Sequence, residues 1–225
     1  MDIQIRHNPA FAVARATLAP GEAIKAESGA MMATSGGVAV ESKMEGGLMK
    51  GLKRSVLGGE SLFMTTLSAG DQGGWVDCAP RLPGDAFVLD VNGAYNLTRG
   101  SWMCNESTIT LDTKWGGFKN LGGGEGGFMV HASGTGKVVV ACYGAVERVT
   151  LAAGESVVVD SGHLVAFSPE TTYTTRKVTS GLMQTLKSGE GFVLDFQGPG
   201  ELYIQSRNPS EFVAWLTNVL PFSRG

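Results

Sequence analysis

Short runs of apolar and β-branched residues, separated by polar residues and turn formers, recur along the whole chain. Gly, Pro, Asp or Ser bounds each run, which is typical of short β-strands. The pattern predicts strands over 12–18, 62–67, 87–91, 128–131, 138–141, 157–159 and 203–205. Because many short strands joined by frequent turns build sandwiches, barrels or jelly rolls, we expect an all-β fold.

The pattern near the carboxyl terminus differs and predicts a short helix over 208–220. Asn208 suits the N-cap, Pro209 suits the first helical position, and Glu211 completes a capping box. The apolar residues that follow have the spacing of one helical face: Phe212, Trp215, Leu216 and Val219. We expect this face to pack back on the sheet, with a membrane or a partner protein as the alternative.

Similar segments recur at a fixed interval. A Gly-Glu pair precedes an apolar run three times, and the three glutamates are separated by 125−60 = 65 and 190−125 = 65 positions. A second set of turns begins at Leu18, Leu82 and Leu151 and carries the acids Glu22, Asp85 and Glu155. One such unit would bury too little core alone. The recurrence therefore predicts three tandem β-rich pseudo-repeats, over 1–70, 71–136 and 137–207, packed as one globular body over 1–225.

Composition narrows the class of protein. Hydrophobic residues make up 43% of the chain and charged residues 17%, which excludes a disordered protein. The net charge of −3, without a basic face, weighs against a general nucleic-acid binder. No run approaches the length of a membrane span, and the first residues do not resemble a secretory signal. Three scattered cysteines offer no disulfide framework, so we expect a cytoplasmic protein.

The recurring acids are the first candidate binding residues. If Glu60, Glu125 and Glu190 surround a pseudo-threefold axis, their carboxylates could bind a cation through oxygen ligands. An acid that follows glycine in an exposed turn is more often only solvated, and we favour this interpretation. We therefore predict repeat-equivalent turn acids and no metal site.

Motifs for catalysis and cofactor binding are incomplete. Gly122, Gly124 and Gly127 have the spacing of a dinucleotide-binding loop, but a predicted strand follows them where a helix is needed. His131 and His163 stand apart from each other and lack the spacing of zinc ligands. We expect no enzyme activity, and therefore no catalytic residues and no cofactor.

Residues 43–54 have the most unusual local composition, because glycines separate apolar and basic side chains there. The candidate contacts with a partner or an anionic membrane surface are Leu48, Met49, Lys50, Leu52, Lys53 and Arg54. In the alternative, the apolar residues plug the end of a β-barrel while the cations point outward. Apolar residues at 118 and at 182–183, in the other predicted repeats, favour the plug.

The glycine-rich block 46–54, continued by 58–63, resembles the signature of the AIM24 family, and the segments 20–22 and 28–31 are similar to that family too. The resemblance covers essentially the whole chain. It implies three copies of the β-rich unit of the tryptophan RNA-binding attenuation protein (TRAP-like), a variant of the double-stranded β-helix. It implies no reaction, although mitochondrial members are associated with inner-membrane organisation and respiratory function.

These observations support two functional hypotheses. The first is a non-enzymatic binding or scaffold protein of the AIM24 type, at a membrane-associated assembly. The second is an RNA-binding or small-ligand-binding module, by fold analogy with the attenuation protein. Sheet edges at the repeat boundaries, together with the resemblance to a ring-forming fold, predict a homo-oligomer with a trimer as the leading expectation.

Overall fold

A computed structural model describes residues 1–44, 63–98, 100–115, 128–177 and 192–220, and within them the fold is all-β with one α-helix at the carboxyl end. The strands are β1 (Asp2–Arg6), β2 (Val13–Leu18), β3 (Ala23–Glu27), β4 (Met31–Thr34), β5 (Val38–Met44), β6 (Phe63–Ala69), β7 (Gly74–Cys78), β8 (Ala86–Thr98), β9 (Trp102–Glu106), β10 (Ile109–Trp115), β11 (Phe128–Ala141), β12 (Val146–Leu151), β13 (Ser156–Asp160), β14 (Leu164–Phe167), β15 (Thr172–Lys177), β16 (Phe192–Gln197) and β17 (Gly200–Gln205). A single 3-10 turn covers Ser161–His163, and helix α1 covers Pro209–Val219. The predicted all-β class is confirmed.

The strands form three groups in which the same antiparallel pairings occur. In the first group (β2 to β7), β2 pairs with β7, β7 with β4, β3 with β6 and β6 with β5. In the third group (β12 to β17), the pairs are β12–β17, β17–β14, β13–β16 and β16–β15. In the second group (β8 to β11), the long strands β8 and β11 pair along their whole length, so β8 takes the place of two strands and β11 of two others. Strand β11 also pairs with β9 and with β10. The pseudo-repeat boundaries at 70, 136 and 207 stay predictions.

Acidic side chains close the turns between the first two strands of the first group, β2 and β3, and of the third group, β12 and β13. Alternate residues of β2 are buried, and the chain then reverses at Gly21, whose φ of 73° favours glycine. The Glu22 carboxylate accepts the backbone N–H of Ala19 at 2.8 Å. Between β12 and β13, the Glu155 carboxylate accepts the backbone N–H of Ala152 at 2.7 Å. These acids therefore stabilise turns.

The predicted correspondence of Leu18, Leu82 and Leu151 is wrong. Leu18 and Leu151 end β2 and β12, each opposite a glycine in the last strand of its group. In the second group, Val91 holds this position and β8 continues past it without a turn. Leu82 precedes β8, in a segment whose Gly84 bridges to Gly144, between β11 and β12. Asp85, three residues after Leu82, is therefore no counterpart of the turn acids Glu22 and Glu155.

Each strand group has its own hydrophobic core, and neighbouring groups share residues across their junctions. Strand β3 of the first group pairs with β9 of the second, and β8 of the second pairs with β14 of the third. At these junctions some buried residues complete the core of the preceding group: Met103 and Cys104 of β9, and Val165 and Ala166 of β14. The groups are therefore joined by both backbone pairing and side-chain packing.

The predicted helix is confirmed. The Asn208 side-chain oxygen accepts the backbone N–H groups of Ser210 at 2.9 Å and Glu211 at 3.4 Å, as an N-cap does. Pro209 occupies the first turn, where its missing N–H removes no intrahelical bond. No helix in the described part of the chain is long and apolar enough to cross a membrane.

The expected packing of the helix face holds for only half of that face. Phe212 and Leu216 are half-buried, and the Phe212 ring lies 5.7 Å from the ring of Tyr143. Trp215 and Val219 of the same face remain more than half exposed. The reason is that α1 follows the last strand closely and only its inner edge reaches the third group.

Candidate functional site

The two sets of predicted site residues lie outside the described residues. The candidate contacts lie in 45–62: Leu48, Met49, Lys50, Leu52, Lys53 and Arg54. The turn acids lie in 45–62, 116–127 and 178–191: Glu60, Glu125 and Glu190. The glycine motif at 122–127 belongs there as well. The choice between a plug and a contact site therefore stays a prediction.

The histidines of the described sheets are held by separate local partners. The His131 Nδ1 lies 3.0 Å from the Asn96 side-chain oxygen, between β11 and β8. The His163 Nδ1 lies 2.7 Å from the backbone carbonyl oxygen of Gln205. Among the residues that the structure describes, no group of three or more His, Cys, Asp or Glu side chains could hold a metal ion.

One carboxylate ties the second strand group to the third. The Glu201 Oε1 accepts the hydroxyl groups of Tyr95 at 2.5 Å and Tyr203 at 3.0 Å. Its Oε2 accepts the Arg148 Nε–H at 2.7 Å and is also paired with Arg148 Nη2. The Tyr203 ring stacks on Phe87 of β8, with centroids 4.5 Å apart. Strands β8, β12 and β17 therefore meet at one saturated carboxylate.

The electrostatics of this cluster follow from its burial and its hydrogen bonds. Burial would raise the pKa of Glu201, but the donors Tyr95, Arg148 and Tyr203 outweigh it and hold the pKa below its ordinary value. Burial and the nearby carboxylate raise the pKa of Tyr203 to about 12 and that of Tyr95 further. The tyrosines thus stay protonated donors, and the carboxylate has no free lone pair aimed at a substrate.

A second buried carboxylate fixes the first strand group in the same way. Asp77 accepts Arg15 through two bonds of 2.8 Å and lies 2.8 Å from the Arg6 guanidinium. The Arg15 guanidinium also covers the Trp75 ring at 4.0 Å. Hydrogen bonds from Arg15, helped by the charge of Arg6, hold the pKa of Asp77 below its ordinary value despite burial. This cluster ties β1, β2 and β7 together.

We expect Glu201→Gln to make the protein less stable at pH 7 and less sensitive to acid. The folded pKa of Glu201 is lowered, so its contribution to stability is present above the unfolded value of about 4.3 and is lost as pH falls through the folded value. Loss of the charged acceptor should cost about 1–3 kcal/mol at pH 7. Urea unfolding at pH 7 and at pH 3 measures both differences.

Glu147→Gln is the matched control, because Glu147 is an exposed residue of β12 next to Arg148. The control should keep the wild-type unfolding free energy at pH 7 within about 0.5 kcal/mol. A deficit for Glu201→Gln that is as large at pH 3 as at pH 7 would contradict an ionised, hydrogen-bonded Glu201.

Large apolar side chains are exposed on the carboxyl-terminal helix and on two edge strands, besides single residues elsewhere. The first is the outer side of α1, with Val213, Trp215, Val219 and Leu220. The second is the edge strand β4, with Met31 and Met32, and the third is the edge strand β13 of another sheet, with Val158. Exposed apolar groups that cluster on a surface are typical of contact sites.

The sequence held signals for part of this arrangement. The valines 157–159 lack the alternation of a half-solvated strand, so one valine of that run had to face outward. The methionine pair at 31–32 gives a similar signal. No local pattern identifies the Tyr95–Glu201 contact, because its partners are 106 residues apart.

Comparison with known proteins gives a consistent set of relatives. A family model described as "Mitochondrial biogenesis AIM24" matches residues 3–207. An uncharacterized protein of Streptococcus pyogenes serotype M6 is 31% identical over 233 residues, which cover 99% of this chain and 92% of that protein. The crystal structure of protein SPYM3_0169 from Streptococcus pyogenes has a TM-score of 0.82 at 28% identity, with 97% of this chain and 99% of that chain covered.

Proposed function

Because this chain belongs to the AIM24 family, we propose that it is a non-enzymatic scaffold protein that binds a protein partner and works as a homo-oligomer. The observation that carries the proposal is the outer side of α1. Trp215 is 58% exposed there although it stacks on Phe212, whose ring is anchored against Tyr143. A large aromatic side chain held in place at the surface is the kind of residue that dominates protein interfaces.

The polar clusters support the same proposal. The carboxylates of Glu201 and Asp77 are saturated by tyrosine and arginine donors of the chain itself. Such groups fix the arrangement of strands and offer no acceptor for a proton from a substrate. These clusters therefore support a protein whose strands are fixed by internal hydrogen bonds and whose exposed apolar residues make contacts.

We expect the double variant Trp215→Ser/Val219→Ser to lose its partner proteins. Removing a central aromatic anchor typically costs at least 2 kcal/mol of binding free energy, about 30-fold in affinity. The measurement is quantitative affinity capture, with chemical cross-linking, from cells of the source organism. The captured proteins should fall at least tenfold relative to wild type.

Asn218→Ser is the control, because Asn218 is exposed on the same helix and is polar in both forms. It should capture the wild-type set. Equal capture by the double variant and the control would overturn the role of α1. A wild-type protein that captures nothing but its own chain would overturn the scaffold proposal.

A further inference from the structure

The two junctions between neighbouring strand groups have the same pairing register. In the first junction Ala26 of β3 lies opposite Cys104 of β9. In the second, Leu97 of β8 lies opposite Ala166 of β14. Both junctions are antiparallel, and in both the incoming strand has a bulge where it meets the last strand of its own group.

The bulge places one side chain of the incoming strand in the core of the preceding group. At the first junction this residue is Met103, which is 1% exposed and packs in the first core. At the second it is Val165, which is 0% exposed and packs in the second core. Each junction therefore combines backbone pairing with one buried apolar side chain, which we call the knob.

Strand β4 has the bulge of an incoming strand, but no strand group precedes it to receive its knob. It pairs with β7 through a bulge between Met31 and Ala33, which gives Met32 the position of the knob. Met32 is 54% exposed, although its counterparts are fully buried. Among the described residues, β4 pairs with β7 alone, so its outer edge is open.

Strand β13 has the features of the other partner at a junction, the strand that pairs with an incoming strand. It pairs with β16 as β3 pairs with β6, and its other edge is open among the described residues. By register, Val159 holds the position of Ala26 and Leu97 in the two built junctions. Val158 is 52% exposed, where β3 has Lys25. Open edges normally carry charges that block association, and neither Val158 nor Met32 provides one.

We propose that β4 of one protein molecule pairs with β13 of a second copy, antiparallel, with Ala33 opposite Val159. Met32 then enters the third core, which contains Leu194, Phe196 and Leu202. This interface specifies how the molecules of the proposed homo-oligomer contact each other, and it rests on that proposal. It joins two different surfaces, so it is head-to-tail and generates a ring, or a filament where the rotation does not close. A trimeric ring is the expected form.

Two variants test the two halves separately. Met32→Glu places a charge on an exposed knob, and Val158→Pro removes a backbone N–H from an edge strand, where proline is tolerated. The fold is therefore retained, which circular dichroism and the melting temperature check. Light scattering at micromolar concentration should give an oligomer for wild type and a 23.5 kDa monomer for each variant. Val40→Glu, at an exposed valine of β5, should remain oligomeric.

Mixing the variants gives the sharpest outcome. Each retains one intact half, so an equimolar mixture of Met32→Glu and Val158→Pro should form a capped pair of 2 × 23.5 = 47 kDa and nothing larger. A monomeric wild type, an oligomeric single variant or a monomeric mixture would overturn the proposal. The Trp215→Ser/Val219→Ser protein should stay oligomeric, so a failure of partner binding is distinguishable from a failure of this interface.

Discussion

Trp102→Ala is expected to lower the free energy of unfolding by about 4 kcal/mol, the range found when a buried aromatic residue is truncated to alanine. Trp102 is 2% exposed and lies in the second core, where β9 meets β11. Its indole N–H donates to the side-chain oxygen of Asn105 at 2.9 Å. Asn105 is fully buried, and its amide NH₂ group donates to the carbonyl oxygens of Glu106 and Ile109. Truncation therefore leaves both a cavity and a buried acceptor without its donor.

Trp215→Ala makes the same chemical change at an exposed position and is the matched control. We expect it to change the free energy of unfolding by no more than about 0.5 kcal/mol. Urea unfolding followed by circular dichroism, at one fixed protein concentration, measures both variants. Equal losses for the two tryptophans would show that the second core does not depend on the Trp102 ring.

Gly84→Ala is expected to destabilise the protein by about 3 kcal/mol or more, as overpacking against a rigid neighbour does. A Cβ atom at this position would lie 2.0 Å from the carbonyl oxygen of Cys142 and 2.8 Å from the backbone nitrogen of Gly144. Both are backbone atoms, so no side chain can move aside. The Gly84 carbonyl oxygen also accepts the N–H of Ala12, which joins the first group to the second. The strain would therefore act where the segments that lead into β2, β8 and β12 meet.

Gly36→Ala is the control for this substitution. A Cβ atom at Gly36 meets nothing within 4 Å, and its φ is not in the left-handed region. Reduced freedom of the unfolded chain should make Gly36→Ala neutral or slightly more stable. Thermal and urea unfolding measure the pair. A Gly84→Ala protein as stable as the Gly36→Ala protein would show that the close approach of Gly84 to residues 142–144, between β11 and β12, is not required.

Every strand predicted from the hydrophobic pattern overlaps a strand of the structure, with the predicted starts at 12 and 62 one residue before β2 and β6, but the connections differ. The predicted strands 128–131 and 138–141 are the two ends of the continuous β11. The segment between them contains Gly134 and Gly136, which are typical of turns. Here they allow close backbone approach, because a Cβ at Gly134 would lie 2.5 Å from the Thr108 carbonyl oxygen. Local composition cannot separate a turn from a close approach.

The candidate surfaces were harder to predict than the strands. The helix and its cap depend on neighbours within four residues, and the sequence places them correctly. Met32 is exposed because no described strand pairs with the outer edge of β4. Met103 is buried because β3 pairs with β9. Side chains with similar local sequence therefore have opposite environments. Only the long-range pairing of strands decides between them.

The pairing of the first strand of a group with its last sets the order of events during synthesis. β2 begins at Val13 and has β1 beside it at once, but it gains its partner within the group only when β7 is complete at Cys78, after 78−13 = 65 further residues. A ribosome adds about 5–20 residues per second, so the first strand waits about 3–13 s. The first group then still lacks Met103 until β9 emerges. The first two groups are thus finished by residues translated after them, and folding proceeds from the amino-terminal group to the carboxyl-terminal one.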